Sequence, residues 1–320
     1  MENTGKYLLI GAILLLVGAI IFTVALSLFG WDFSKIATSK LETNEHIPTE
    51  DFTGIKVTDF TASITVHRSE NGKCKVVCEE FVNVKHTVEV VDGILTVSAK
   101  DTRRWYEYIG INFKNAMVDI YLPKSEYDSL TVSAQTSSIS VADGFAFGNI
   151  DVKTSTGNLS FESAAIGNLS CKTNTGNIRL NDVTASAITL SVTTGNVFAE
   201  KAECAGELKI NASSGHISLQ DVSCGRFSAE LSTGDVTMKN LISASSIYVK
   251  TTTGNIYFEK CDAESLNVTA STGKISGSLL TPKSFDADST TGRVQVPRDT
   301  AGGSCKIRTS TGDIIISIAD

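Results

Sequence analysis

The stretch 173–217, TNTGNIRLNDVTASAITLSVTTGNVFAEKAECAGELKINASSGHI, decides the fold because it repeats one short pattern at a fixed interval. In each repeat a Thr or Ser precedes a Gly, one mostly polar residue follows, and a branched aliphatic residue comes next. Along the chain, successive motif glycines are 19 or 20 residues apart. Such a period predicts a repeat architecture in which each unit buries its apolar face against its neighbours. The motif glycines are Gly157, Gly176, Gly195, Gly215, Gly234, Gly254, Gly273, Gly292 and Gly312.

Each repeat also predicts two strands. The residues seven and five positions before each glycine, and two after it, are almost all apolar. Residues two apart share one face of a strand, so one strand precedes the glycine and a second follows it, with the glycine as a positive-φ corner. The same register recurs in every repeat, which favours stacked coils about 4.8 Å apart in parallel sheets rather than hairpins. Ser138 lies 19 residues before Gly157 and marks a degenerate first coil.

The predicted fold class is therefore all-β, a parallel β-helix or β-solenoid of about ten coils preceded by one transmembrane helix. Residues 1–30 are a membrane anchor with a short head, and residues 31–44 are a polar stalk. Residues 45–130 form a leading β section that caps the solenoid, and residues 131–320 are the regular repeats.

The segment Tyr7–Phe29 contains no charged residue. As a helix it spans roughly 35 Å, enough to cross a bilayer core of about 30 Å. It predicts a single-pass contact with the lipid bilayer through residues 7–29, with the solenoid outside the cytoplasm. A cleaved signal peptide ending near Ala25–Ser27 is the alternative, although the apolar run is longer than the usual signal-peptide core.

Composition excludes several classes of function. The formal net charge is −7 and no run of Lys or Arg is present, so the chain lacks the basic stripe of a nucleic-acid-binding protein. The seven cysteines have irregular spacing, which argues against a disulfide framework, although Cys204 and Cys224 should stack in adjacent coils and could form a bridge. Cys74 and Cys78 have no second cysteine pair or histidine beside them in sequence, so we expect no metal and no cofactor.

Catalysis is not expected either. Enzymatic β-helices need paired carboxylates or calcium ligands with a basic residue on one outer face, and the outward positions here carry no acidic cluster. The four histidines, at positions 46, 67, 86 and 216, suggest no triad from their spacing. Recurring Thr-x-Thr motifs raise the question of an ice-binding array. The first Thr of each motif, however, is two residues from a core position and therefore faces the core. The sequence therefore predicts no catalytic residues.

Two segments stand out from the repeats. The run 103–108, RRWYEY, combines arginines with aromatic rings, a composition typical either of a cap over the solenoid end or of a partner contact. The residues concerned are Arg103, Arg104, Trp105, Tyr106 and Tyr108. The last strand, Ile314–Ile318, is apolar on both faces, so it is either an open edge for a partner strand or covered by the chain's own terminus.

The segments Val91–Val97 and Val118–Pro123, together with the iterated Ser-Thr-Gly-Asn/Asp-Ile/Val motif, resemble the bacterial putative-adhesin family of β-strand-repeat envelope proteins. The resemblance implies a non-enzymatic β-solenoid on the cell envelope, tethered by an N-terminal helix, and carries over no catalytic residues. Some relatives are associated with regulators of envelope stress. It thus implies an adhesin-like scaffold, or an interaction protein, whose partner is an envelope polymer or a regulatory membrane protein. A carbohydrate-active enzyme and a passive spacer are the alternatives, and the oligomeric state stays open.

Overall fold

The computed structural model describes residues 2–28, 31, 40–103, 115–162, 165–298 and 301–319. The helix α1 runs from Glu2 to Leu28. Its segment Gly5–Leu28, with a mean hydropathy of 2.9, is long and apolar enough to cross a bilayer. The same property is shared by signal sequences, so the helix is compatible with either reading.

The rest of the described chain is almost entirely β-structure, and its strands fall into three groups. The leading strands are β1 (Leu41–His46), β2 (Gly54–Asp59), β3 (Ser63–Arg68), β4 (Lys75–Phe81), β5 (Val84–Val91), β6 (Ile94–Asp101), β7 (Met117–Leu122), β8 (Glu126–Thr136) and β9 (Ile139–Val141). The central strands are β10 (Ala146–Thr156), β11 (Leu159–Glu162), β12 (Ala165–Thr175), β13 (Ile178–Asn181), β14 (Thr184–Thr194), β15 (Val197–Glu200), β16 (Glu203–Ser214), β17 (Ile217–Thr233), β18 (Val236–Thr253), β19 (Ile256–Cys261), β20 (Ser265–Thr272) and β21 (Ile275–Leu279). The last strands are β22 (Ser284–Ser289), β23 (Val294–Gln295), β24 (Ser304–Thr311) and β25 (Ile314–Ile318).

The central coils stack in register, as the repeat predicts. Val152 on β10 pairs with Cys171 on β12, which pairs in turn with Leu190 on β14 and so with Ile210 on β16. All of these ladders are parallel, and the short strands after the glycines stack in the same way. The inward rows are buried, with Leu190, Ile210 and Val249 at 0% exposure. The prediction of a β-solenoid is confirmed.

Gly215 shows why the first corner of each coil requires glycine. Its φ is 143°, a backbone conformation that other residues rarely adopt. A Cβ at this position would lie 1.9 Å from the carbonyl oxygen of Gly195, one coil below. Both the backbone angle and the close approach of the neighbouring coil therefore exclude any residue other than glycine from this corner.

A second corner uses left-handed residues other than glycine. Lys201, Asp221 and Lys260 each lie six residues after a motif glycine and have φ values of 52°, 54° and 51°. The next residue points into the core at this corner, as with Val222 at 1% exposure and Leu241 at 0%. Each such left-handed residue carries a strain of roughly 1–2 kcal/mol, which the stacked ladders on either side sustain.

An asparagine ladder runs along the glycine corner. The side-chain oxygen of Asn158 accepts a hydrogen bond from the backbone N–H of Asn177 at 2.9 Å, and Asn177 accepts from Asn196 at 2.8 Å. Asp235 plays the same role for the N–H of Asn255 at 2.6 Å. The side chain thus satisfies a backbone donor of the next coil, and at Asp235 it also accepts from the Asn255 side chain at 3.2 Å.

The C-terminal coils do not follow chain order, which corrects the expectation of an uninterrupted sequential stack. Strand β24 pairs with β20 on one side and with β22 on the other. The Gly312 coil therefore lies between the Gly273 coil and the Gly292 coil, and Gly292 alone among the motif glycines has no positive φ. The physical reason is burial. Ile314 is 0% exposed between Ile275 and Val294, whereas Val294 of the outer coil is 39% exposed.

The N-terminal end is also built out of chain order. The coil formed by β2 and β3 lies between the coil of β8 and β9 and an outer layer of β6 and β7. The antiparallel strands β1, β4 and β5 complete this layer, which we call the N-terminal cap (residues 40–103 and 115–122, apart from β2 and β3). Asp92 and Gly93, with φ values of 51° and 74°, form the tight turn between β5 and β6. Strand β1 begins at Leu41, inside the predicted stalk, because residues 41–46 pair with β4.

Candidate functional site

A polar groove crosses the central coils on the face of the long strands. It encloses about 370 Å³ and extends from the Gly176 coil to the Gly254 coil. The register places Lys172, Ser191, Asn211, Glu230 and Lys250 in one row along its side. On the spacing of stacked strands, the four steps from Lys172 to Lys250 cover roughly 19 Å. The groove therefore presents an extended polar row parallel to the solenoid axis.

The groove is lined by hydroxyl groups on its other side. Thr193, Ser213, Ser232 and Thr252 are exposed there, two residues before their motif glycines. Its floor is formed by the row three residues before each glycine, which includes Val192 and Leu231, each 4% exposed. Within the described part of the chain, Lys172, Glu230 and Lys250 form no ion pair, so their charges are available to a ligand.

The threonines of the Thr-x-Thr motifs face inward at their first position. Thr173 and Thr309 are 1% and 4% exposed, and their hydroxyls donate to the carbonyl oxygens of Gly157 and Gly273 at 3.2 and 3.1 Å. These threonines complete the glycine corners from inside, and they do not form an outward array.

A second cluster is buried in the N-terminal cap, where sequence reasoning placed nothing. His86 on β5 lies between two carboxylates, with Nε2 at 2.6 Å from Asp59 Oδ2 and Nδ1 at 2.7 Å from Glu80 Oε2. The three side chains are 1–2% exposed. Asn44 on β1 donates to the other oxygen of Glu80 at 2.6 Å, and Lys85 Nζ lies 3.5 Å from that oxygen. Four strands thus contribute to one polar network.

The charges of this network support one another. Burial disfavours the imidazolium form of His86, but hydrogen bonds to Asp59 and Glu80 outweigh it and raise the pKa of His86 above its usual value. Burial likewise opposes the charged form of Glu80, and hydrogen bonds from His86 and Asn44 lower the pKa of Glu80 all the same. Lys85 adds a positive charge at the edge of this network, where its Nζ also pairs with Glu42 Oε2 at 2.5 Å.

Two histidines, His86 and His67, contact carboxylates. The Asp59–His86–Glu80 network is closed to a substrate by its burial. His67 Nε2 on β3 contacts Asp119 Oδ1 on β7 at 3.0 Å, and its ring stacks on that of Tyr121 with the ring centres 4.9 Å apart. Among the described residues, no Ser, Thr or Cys side chain hydrogen-bonds to His67.

Cys78 lies beside the buried network. Its thiol, a Glu80 oxygen and a His86 nitrogen all lie within 4.8 Å of one another. The expectation of no metal ligand near Cys78 rested on the absence of a neighbouring histidine in sequence, and the turn at residues 82–83 between β4 and β5 brings His86 to it from eight residues away. The alternation of side chains along β4 could have indicated this cluster. Val76, Cys78 and Glu80 share one face of the strand, and the first two are 0% exposed.

The other predicted site residues are dispersed. The motif glycines form the corner described above, with Gly292 displaced to the outer coil. Arg103 is half-buried and its guanidinium pairs with the Asp101 carboxylate, whereas Arg104, Trp105, Tyr106 and Tyr108 lie outside the described residues. Cys204 and Cys224 are direct register partners, and both are free thiols in the structure. The apolar strand β25 is covered by β23 at residues 314–315.

Comparison with known proteins identifies the family. None of the curated proteins matches this sequence. A crystal structure of a putative adhesin from Parabacteroides distasonis has a TM-score of 0.50 and 15% identity, covering 86% of this chain and 98% of that one. A second, from Parabacteroides merdae, has a TM-score of 0.51 and 15% identity, covering 75% and 97%. At this identity the likeness concerns the fold.

The family model described as Toastrack DUF4097 matches residues 52–206 and again residues 200–320. Two tandem matches of this kind agree with a solenoid made of repeated units. Together they span nearly all of the chain after the helix and the first strand. The chain therefore belongs to the Toastrack DUF4097 family.

Proposed function

We propose that this protein is a membrane-anchored, non-enzymatic β-solenoid displayed on the bacterial envelope, where its groove binds an extended polar polymer. The observation that carries the proposal is the row from Lys172 to Lys250, in which charged and hydroxyl side chains repeat along the axis without internal ion pairs. A linear chain with hydroxyl, amide or charged groups at regular intervals matches such a row. The two fold neighbours, each described as a putative adhesin, are consistent with this role.

The groove favours binding over hydrolysis. Glycoside hydrolysis uses two carboxylates about 5–9.5 Å apart across the scissile bond. Glu230 is the one acidic residue among those that line the groove. A bound glycan would meet hydrogen-bonding groups there but no acid–base pair.

The anchor supports display at the membrane. The helix is followed by a solenoid whose outer rows are polar, and the net charge of −7 suits a surface that stays soluble beside a bilayer. Protease added to intact cells should remove the solenoid and leave the helix in the membrane fraction. Protection of the solenoid in intact cells, with digestion only after lysis, would contradict display outside the cytoplasm.

Binding can be tested with the full chain in nanodiscs on an array of envelope glycans and wall polymers. The triple variant Lys172→Ser, Glu230→Ser, Lys250→Ser removes the charges of the groove. The matched control Glu200→Ser, Lys209→Ser, Lys274→Ser removes the same charges from exposed positions elsewhere on the solenoid. We expect at least a tenfold loss of polymer binding in the first variant and none in the second. Absence of any retained polymer, or an equal loss in both variants, contradicts the proposal, and capture of a membrane protein alone would favour a regulatory partner.

A further inference from the structure

Three side chains with different metal-ligating atoms converge in the N-terminal cap. Cys78 and Glu80 lie on β4 and His86 on β5, all three are buried, and their ligand atoms lie within 4.8 Å of one another. Thiolate sulfur, imidazole nitrogen and carboxylate oxygen are the donors that Zn²⁺ takes, at about 2.0–2.3 Å from the metal. Bonds of that length place the ligand atoms of a tetrahedral site roughly 3.3–3.8 Å apart, so side-chain movements of about 1 Å or less bring the three together around one ion.

Asp59 orients the imidazole as an outer carboxylate does in metal sites. Its Oδ2 lies 2.6 Å from His86 Nε2 and accepts that N–H, and its Oδ1 accepts the backbone N–H of Thr61 at 2.7 Å. Ligating histidines generally donate their second N–H to a carboxylate or carbonyl in this way. With Nε2 held by Asp59, His86 turns Nδ1 toward Glu80 and the thiol.

The position between Nδ1 and Glu80 must hold either a proton or a metal cation. Nδ1 and Oε2 are 2.7 Å apart, and two lone pairs would repel each other at that distance. A proton can bridge Nδ1 and Oε2, but it does not involve the thiol of Cys78. A divalent cation satisfies the nitrogen, the carboxylate and the thiolate of Cys78 together. Asn44 and Lys85 hold the remaining oxygen of Glu80 and keep the carboxylate in place.

We propose that Cys78, Glu80 and His86 bind one Zn²⁺ ion, with Asp59 as the positioning residue for the imidazole. On binding, the thiol proton and the proton between Nδ1 and Oε2 pass to solvent, and Zn–S, Zn–N and Zn–O bonds form without any change of oxidation state. A water molecule completes the coordination. The ion joins β4 to β5, and through Asn44 and Asp59 it ties β1 and β2 to the same point, so it locks the cap onto the first coil.

Metal binding at this site requires Cys78 to be a reduced, free cysteine. Burial raises the pKa of the Cys78 thiol to about 12, so in the absence of a cation the sulfur stays protonated. All seven cysteines are free and buried, which leaves Cys78 available as a ligand. Cys74 lies four residues earlier, is also buried, and is not part of the cluster, so it provides a matched control.

The test uses the full chain in detergent, stripped of metal and kept reduced, and titrated with Co²⁺ as a spectroscopic probe for Zn²⁺. We expect one equivalent of Co²⁺ to give a thiolate-to-cobalt charge-transfer band and tetrahedral d–d bands, both removed by one equivalent of Zn²⁺. Cys78→Ala should abolish the charge-transfer band, and Cys74→Ala should leave it unchanged. Asp59→Asn should keep the band but weaken binding by about 10–100-fold.

Two outcomes overturn the proposal. If the wild-type chain shows no thiolate band with one equivalent of Co²⁺, Cys78 binds no metal. The Asp59–His86–Glu80 network is then held together by protons alone. A band of equal intensity in Cys78→Ala and in the wild type places the bound metal elsewhere. Absence of the band in the wild type overturns the proposal without any variant, and neither outcome depends on polymer binding by the groove.

Discussion

Gly215 illustrates, at the residue scale, how a single backbone position sustains the stack. We expect Gly215→Ala to lower the free energy of unfolding by roughly 3 kcal/mol or more, because it adds both a left-handed strain and a Cβ 1.9 Å from the Gly195 carbonyl oxygen. The measurement is chemical unfolding of the full chain in detergent, followed by circular dichroism.

Gly72 provides the control for that substitution. Its φ is 68°, but a Cβ there would meet nothing within 4 Å. Gly72→Ala should therefore cost only the backbone strain, about 1 kcal/mol. Equal effects of the two substitutions would contradict close contact between successive corners.

Lys260 offers the opposite prediction. It occupies the second corner with a φ of 51°, so Lys260→Gly should relieve strain and raise the free energy of unfolding by about 0.5–1 kcal/mol. Lys209→Gly, at an exposed position within β16, should instead lower it by a similar amount, because glycine is unfavourable in the middle of a strand. If both substitutions lower stability equally, Lys260 is not in a strained conformation.

The asparagine ladder makes a prediction at the scale of the element. Asn177→Ala should cost about 1 kcal/mol, since it leaves the backbone N–H of Asn196 without its acceptor. Asn177→Asp should be nearly neutral, because Asp235 and Asp313 accept the equivalent N–H groups in other coils. Thermal unfolding of both variants measures the difference, and an alanine variant as stable as the aspartate variant would show that the ladder contributes little.

The elements were predictable from sequence to unequal degrees. The glycine corners and the inward rows follow from spacing alone, because a strand has only two faces and glycine best tolerates the first corner. The place of the Gly292 coil could not be predicted in this way, since its motif is the same as the others. What decides its place is that its second strand comprises only Val294 and Gln295 before Pro297, whereas the Gly312 coil has Ile314 and Ile316 to bury.

The buried cluster of Asp59, Glu80 and His86 could not be predicted from sequence for a related reason. Asp59, Glu80 and His86 lie on three strands whose pairing is antiparallel or out of chain order. Nothing periodic connects them, and a charged residue in a short strand is usually solvated. The only indication that the Glu80 carboxylate faces inward was that Glu80 lies on the same face of β4 as Cys78 and the buried Val76.

At the scale of the whole molecule, the solenoid should tolerate the loss of one complete coil. Deletion of residues 177–195 joins Gly176 to Asn196 and preserves the register of every remaining ladder. We expect a folded β-protein with a somewhat lower Tm, because stability in a repeat protein is approximately a sum over coils and their interfaces. Deletion of residues 186–194 breaks the period and should abolish cooperative unfolding.

The same coil deletion separates a binding role from a spacer role. It removes Ser191 and Thr193 from the groove and shortens the row from Lys172 to Lys250 by one step. Loss of polymer binding in an otherwise folded variant is the expected result. A deletion that leaves polymer binding and cellular function unchanged would favour a passive spacer.

The order in which the coils stack is the claim on which the whole account depends, and cysteine cross-linking tests it most directly. Thr272 and Thr311 are register partners in adjacent coils, so their Cα atoms lie within the range that a disulfide can span. The native cysteines are buried and should not interfere. Under mild oxidation the pair Thr272→Cys, Thr311→Cys should cross-link efficiently, and Thr272→Cys, Thr291→Cys should not. Efficient cross-linking of the second pair and not the first would contradict the stacking described here.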